Sequence, residues 1–138
     1  MSNSKLDELT LQAQKRGRPF NILIVDDEPW VREVFRDFCN LTDAFKVEMA
    51  EGGAEAVDMA RNGEYDLITL DLIMPEMSGL DALTEIKRAA PRVPVMIITG
   101  NATDKLVNRA GVLGACKVMY KPIQLEEFLN ELSSALMK

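Results

Sequence analysis

The stretch Ile22-Leu23-Ile24-Val25-Asp26-Asp27-Glu28-Pro29 decides how this chain is read. Four apolar residues, three of them β-branched, have the length and character of a buried strand. Three carboxylates follow without a spacer, and then a proline that suits the first turn of a helix. A buried strand running straight into acidic residues and a helix start is the opening of a β-α unit, with its polar groups at the strand's carboxyl end.

The same pattern recurs towards the C-terminus. Lys46–Ala50, Leu67–Leu70, Val95–Thr99 and Lys117–Tyr120 read as further strands, the second of the five being the weakest because Lys46 and Glu48 alternate with apolar residues as on a sheet edge. Between and after them, helical spacing predicts helices over Pro29–Asn40, Ala54–Asn62, Gly79–Ala90, Asp104–Leu113 and Leu125–Met137. Ser78 suits an N-cap, and Gly63, Pro91 and Gly114 fall just past helix ends. The fourth of these helices is the least secure, because Gly111 lies inside it and its apolar set is short. Five alternating units predict an α/β fold: a doubly wound five-stranded parallel sheet with five helices, flavodoxin-like in topology, with ligands expected outside the carboxyl ends of the strands.

Met1–Phe20 is read as an N-terminal extension, a short helix or linker, ahead of one domain over Asn21–Lys138. Leu6, Leu9 and Ala13 have helical spacing, but the basic run Lys15-Arg16-Gly17-Arg18 favours a frayed tail. The 138 residues suit a single domain, and no apolar run approaches the length needed to span a bilayer, so a cytoplasmic location is expected. Of the net charge of −6, the first twenty residues contribute +2 and the rest −8, which argues against non-specific binding to nucleic acid. Cys39 and Cys116 form no C-x-x-C pair, and both are expected to be buried and reduced. The chain contains no histidine, which excludes a Cys/His zinc set, a Ser-His-Asp relay and an internal phosphohistidine donor.

Asp26 and Asp27 follow the first strand, Asp71 the third and Lys121 the fifth, and Thr99 ends the fourth. All converge on one edge of the sheet. Clustered carboxylates repel one another and call for a divalent cation, and an oxygen-only donor set favours Mg²⁺. A carboxylate beside that metal can attack phosphorus in line, while a lysine ammonium and a hydroxyl share the charge of the transferring oxygens. Glu28 reads as a solvated first-turn acid, and Met74, Met77 and Met96 as packing residues.

From Asn21 onward the chain resembles the receiver family of two-component response regulators. The likeness rests on Val25-Asp26-Asp27-Glu28-Pro29, Asp71-Leu72-Ile73-Met74-Pro75-Glu76-Met77-Ser78-Gly79, Ile97-Ile98-Thr99-Gly100 and Lys121-Pro122, in that order. The resemblance implies a signalling phosphoprotein rather than an enzyme in the ordinary sense. Asp71 is the implied acceptor of a phosphoryl group from a sensor histidine kinase, and Thr99 and Lys121 its helpers. It implies metal binding by Asp26, Asp27, Asp71 and the backbone carbonyl of Ile73, with room for the phosphoryl group at Gly100 and a cis Lys121–Pro122 bond. A downstream protein target follows, with no direct nucleic-acid contact and no membrane insertion by this chain.

The alternatives are a phosphorelay intermediate, a phosphate-independent scaffold, an aspartyl-phosphate phosphatase and a flavin carrier. Ile73 is not the general acid that the phosphatase needs, and Asp26-Asp27-Glu28 would repel a flavin phosphate. One departure from the family is plain: the switch aromatic expected on the last strand is Val118 here, while Tyr120 lies two residues further on.

Overall fold

The computed structural model describes residues 4–137, and Met1, Ser2, Asn3 and Lys138 of the predicted segments lie outside the described residues. The strands are β1 (Phe20–Val25), β2 (Phe45–Ala50), β3 (Leu67–Leu70), β4 (Val95–Thr99) and β5 (Lys117–Tyr120). The helices are α1 (Ser4–Arg16), α2 (Pro29–Cys39), α3 (Gly53–Asn62), α4 (Gly79–Ala89), α5 (Asp104–Val112) and α6 (Leu125–Leu136). All five strands are parallel, in the order β2-β1-β3-β4-β5. The doubly wound sheet is therefore as expected, with six helices instead of five.

Alternation along the strands divides the core in two. Ile22, Ile24, Met96, Ile98 and Met119 face one layer, where they meet Val31, Phe35 and Cys39 of α2 and Phe128, Leu129 and Leu132 of α6. Leu23, Val25, Ile68, Leu70 and Ile97 face the other, against Ala56, Val57 and Ala60 of α3, Leu83 and Ile86 of α4 and Ala110 of α5. Phe35 and Phe128 stack at 4.7 Å and tie α2 to α6. β2 is an edge strand with alternating exposure, as its sequence suggested.

The frayed tail is corrected. Ser4–Arg16 is a helix, and it docks because Leu9 is fully buried and Ala13 nearly so, in the same cluster as Phe20, Ala44, Phe45 and Leu132. The basic run is anchored as well: the Arg16 guanidinium lies 4.5 Å from the Phe20 ring centroid and 3.4 Å from Asp66. Gly17 adopts φ +76° to end the helix, as an unbranched backbone allows.

The cysteines divide. Cys39 is buried, and burial pushes its thiol up to about 12, whereas Cys116 is exposed in the bend just ahead of the edge strand β5. Among the described residues no helix is long and apolar enough to cross a membrane.

Candidate functional site

Because the strands are parallel, their carboxyl ends lie along one edge, and each contributes a different group. β1 runs into Asp26 and Asp27, β3 into Asp71, β4 ends in Thr99, and β5 runs into Lys121. The structure brings together all five residues that the sequence pointed to.

Asp71 is buried, and both of its oxygens are engaged. Oδ1 accepts from the Thr99 hydroxyl at 2.9 Å and from the backbone N–H of Ile73 at 2.9 Å. Oδ2 accepts from the Lys121 ammonium at 2.8 Å. The same ammonium lies 2.7 Å from Oδ2 of Asp26, so one lysine bridges two buried carboxylates. Burial pushes the Asp26 carboxyl above its usual range against the opposing pull of Lys121. For Lys121, burial works to lower the pKa, but the hydrogen bonds and charges of Asp26 and Asp71 outweigh it and hold the ammonium above the ordinary lysine range.

Carboxylate oxygens of Asp26, Asp27, Glu28 and Asp71 all lie within 4.8 Å of one another. Four acids against one lysine leave the cluster short of positive charge, and its donors are all oxygen. That set fits Mg²⁺ better than zinc.

The loop after Asp71 is fixed by its glycine. A Cβ on Gly79 would lie 2.3 Å from Leu72 Cα and 2.7 Å from the Asp71 carbonyl oxygen, so only glycine lets α4 start this close to the acceptor strand. Gly79 N–H donates to Leu72 O at 3.1 Å, and the Ser78 hydroxyl caps α4 by accepting from Asp81 N–H. In the same loop Glu76 takes φ 67°, a left-handed conformation that a side chain rarely adopts. Ile73 is half exposed beside the site, and a Cβ on Gly100 would meet open space. The Lys121–Pro122 bond is cis, as expected.

Three neighbours were not assigned to the site from the sequence. Glu28, read as a solvated acid, joins the cluster, with Oε1 lying 3.5 Å from Lys121 Nζ. Its other oxygen accepts from the Trp30 indole N–H at 2.9 Å. Arg32 is buried on α2 and donates to the Asp26 carbonyl at 2.7 Å, fixing the turn that carries the acids. The signal for Glu28 was its position directly after Asp26-Asp27; for Arg32 it was a cation on the buried stripe of α2.

The doubly wound parallel sheet, with a lysine-bridged carboxylate pair and a hydroxyl at its strand ends, has the fold of CheY-like receiver domains. Residues 22–133 match the response regulator receiver domain, and the chain belongs to that family. It is 33% identical to response regulator MprA of Mycobacterium sp. (strain KMS) over 120 residues, which cover 86% of this chain and 51% of that protein. To the chemotaxis protein CheY of Bacillus subtilis (strain 168) it is 33% identical over 115 residues, 83% of this chain and 96% of that one. The chain thus spans about half the length of the MprA relatives and nearly all of a CheY. A chain of the CheX-CheY-BeF3-Mg+2 complex from Borrelia burgdorferi superposes with TM-score 0.84 at 29% identity, over 91% of this chain and 95% of that chain. Receiver domains are signalling domains rather than enzymes in the ordinary sense, and they usually bind Mg²⁺ at an acidic cluster of this kind.

Proposed function

We propose that this receiver domain, taken as residues 21–138 with residues 1–20 as its extension, accepts a phosphoryl group on Asp71. The donor is a sensor histidine kinase, the reaction is Mg²⁺-dependent, and the outcome is a change in the binding surface offered to a downstream protein. One observation carries the reading: Asp71 and Asp26, both buried, share the Lys121 ammonium at 2.8 and 2.7 Å while Thr99 donates to Asp71. A buried carboxylate pair is costly unless compensated, and here the compensating groups are those that phosphoryl transfer needs.

In the proposed transfer Asp71 supplies the oxygen that bonds to phosphorus, and the donor's leaving group departs with the electron pair of the broken bond. Thr99 and Ile73 N–H hold Oδ1, which leaves Oδ2 facing the ammonium and the acids. Lys121 and the Thr99 hydroxyl then share the negative charge of the phosphoryl oxygens. Asp26, Asp27, Asp71 and the Ile73 carbonyl are the proposed holders of Mg²⁺, which supplies charge neutralisation for those oxygens when bound. Gly100 leaves space where the group arrives. The product is an acyl phosphate, labile enough for a temporary signal.

The CheY-type relative and the complex containing BeF3 and Mg+2 support this reading, as does the place of MprA among response regulators. A cytoplasmic setting fits it. The test is intact mass after incubation with Mg²⁺ and a small phosphodonor. One phosphoryl adduct is expected on the parent and none on Asp71→Asn. No adduct on the parent with any donor, kinase included, would leave a phosphate-independent scaffold.

A further inference from the structure

Glu28 stands at the N-cap of α2 but does not cap it. Its side chain accepts nothing from the first-turn N–H groups, and its own N–H donates to Asp26 Oδ1 at 2.9 Å. The carboxylate is turned away from the helix and held between two partners, the Trp30 indole N–H at 2.9 Å and the Lys121 ammonium at 3.5 Å. Trp30, the chain's single tryptophan, is itself exposed, so burial does not explain why its N–H is committed to this acid.

Lys121 has three N–H donors and three carboxylate neighbours, at 2.7 Å (Asp26), 2.8 Å (Asp71) and 3.5 Å (Glu28). The two short partners are the same acids that the proposed reaction draws on. If Asp26 turns to another cation and Asp71 becomes an acyl phosphate, both carboxylates are withdrawn and the ammonium is left with the phosphoryl oxygens. Glu28 is the remaining carboxylate within reach of the ammonium. It is half exposed, so it adds little to the desolvation cost of the resting site, and Trp30 fixes the side chain that would otherwise be free to rotate.

Resting on the proposed phosphoryl transfer, we infer that Glu28 is a positioning residue for Lys121, held in place by Trp30. It steadies the ammonium beside the phosphoryl oxygens when Asp26 and Asp71 are otherwise engaged, and its link to Trp30 carries the state of Lys121 to the first turn of α2. With Val118 in place of an aromatic on β5, this gives the site a second route to the surface.

The test uses the full chain, with Mg²⁺ alone and then with acetyl phosphate. Tryptophan emission reports Trp30 directly, and calorimetry follows Mg²⁺ binding separately. In the parent, Mg²⁺ is expected to shift Trp30 emission; in Glu28→Gln, calorimetry still detects binding but the emission shift is lost. The rate of adduct formation on Asp71, by intact mass, should fall roughly 2- to 5-fold in Glu28→Gln, the range that a half-exposed ion pair supports. Trp30→Phe keeps every charge and should fall in the same direction. The double variant should be no slower than Glu28→Gln, because both changes cut one chain.

A Trp30→Phe rate equal to the parent's would mean that Glu28 acts by charge alone, and would overturn the inference. So would a double variant slowed by the product of the single effects. If the parent forms no adduct, the proposed transfer fails by itself, and the emission titration still judges this chain of contacts: a shift that survives in Glu28→Gln, or none in the parent, refutes it.

Discussion

Replacing Lys121 by methionine keeps the unbranched side chain up to the position of the missing ammonium and removes its charge. In the resting structure this leaves Asp26 and Asp71, both buried, without the ammonium that lies 2.7 and 2.8 Å from them. Removing one partner of a buried ion pair costs about 3–5 kcal/mol, because the remaining charge is left uncompensated. Relaxation of the site and entry of water take back some of that, so a net loss of about 2–4 kcal/mol is expected in EDTA at neutral pH. For a domain of this size that is roughly 6–15 °C in Tm.

Mg²⁺ should then act as a substitute for the ammonium. Ligand at 100 times its Kd stabilises by about 2.7 kcal/mol, and every tenfold gain in affinity adds about 1.4 kcal/mol. With the competing cation gone, the variant should bind Mg²⁺ more tightly and gain more Tm from it than the parent does. The pH dependence differs in sign as well. The Lys121 pKa is raised in the folded state, so its contribution is fully present below the ordinary lysine pKa and lost as pH rises through the folded value. That alkaline loss should be missing from the variant. The Asp26 pKa is also raised, so its contribution is present at low pH and lost as the carboxyl ionises, and the variant should be most stable at lower pH than the parent. Differential scanning fluorimetry across pH, with EDTA or Mg²⁺, checks all three. An equal loss of Tm with and without Mg²⁺ would refute the view that Lys121 neutralises the acidic pair.

Leu9→Ala should cost about 2–4 kcal/mol in urea unfolding, since Leu9 is fully buried, whereas a side chain on a loose tail would cost nothing. Thiol titration of the native protein should modify Cys116 quickly and Cys39 only on unfolding, because burial holds the Cys39 thiol near 12. That raised thiol pKa contributes stability below pH 9 that is lost as pH rises towards 12, and Cys39→Ala should flatten this part of the stability curve. Ile73→Asn should shorten the lifetime of the phosphoryl adduct by removing a half-exposed apolar screen beside Asp71; an unchanged decay rate by mass spectrometry would dismiss that role. Amide exchange should be faster in α5, whose one buried residue is Ala110, than in α6, which buries Phe128, Leu129, Leu132 and Ser133.

The strands were legible because each carries a short run of apolar residues with turn residues beside it, and three of the five have the bounds that the sequence suggested. What failed locally was decided by distant contacts. The spacing of Leu6, Leu9 and Ala13 held the evidence for α1, but its weight depended on Phe45, Ala44 and Leu132 forming a surface for it, which no window around residue 9 reveals. The Lys15–Arg18 run looked like linker chemistry, yet Arg16 reaches Asp66, fifty positions away. Apolar neighbours suggested burial for Cys116, and its place in the bend just ahead of the edge strand exposed it. At the site, the acids, hydroxyl and lysine were readable because parallel topology forces strand ends together. The direction in which Glu28 turns was not.

That direction bears on how such a domain reports its state. Thr99 and Tyr120 are register partners on β4 and β5, so an aromatic residue does stand opposite the one whose hydroxyl touches Asp71. Tyr120 is half exposed, however, while the half-buried Val118 packs in the layer of α4 and α5. A valine has no ring to turn between core and surface, and Tyr120 already stands outward, so β5 offers little contrast between two arrangements. Two other elements touch the acceptor's immediate surroundings. The loop from Leu72 to Gly79 is locked by a contact that admits no side chain, which makes it a poor place for movement. The first turn of α2 meets Lys121 through the 3.5 Å contact of a half-exposed glutamate, a link weak enough to be remade when Asp71 is modified. A switch requires two arrangements close in free energy, and the proposed Glu28 link is where this site would meet that condition.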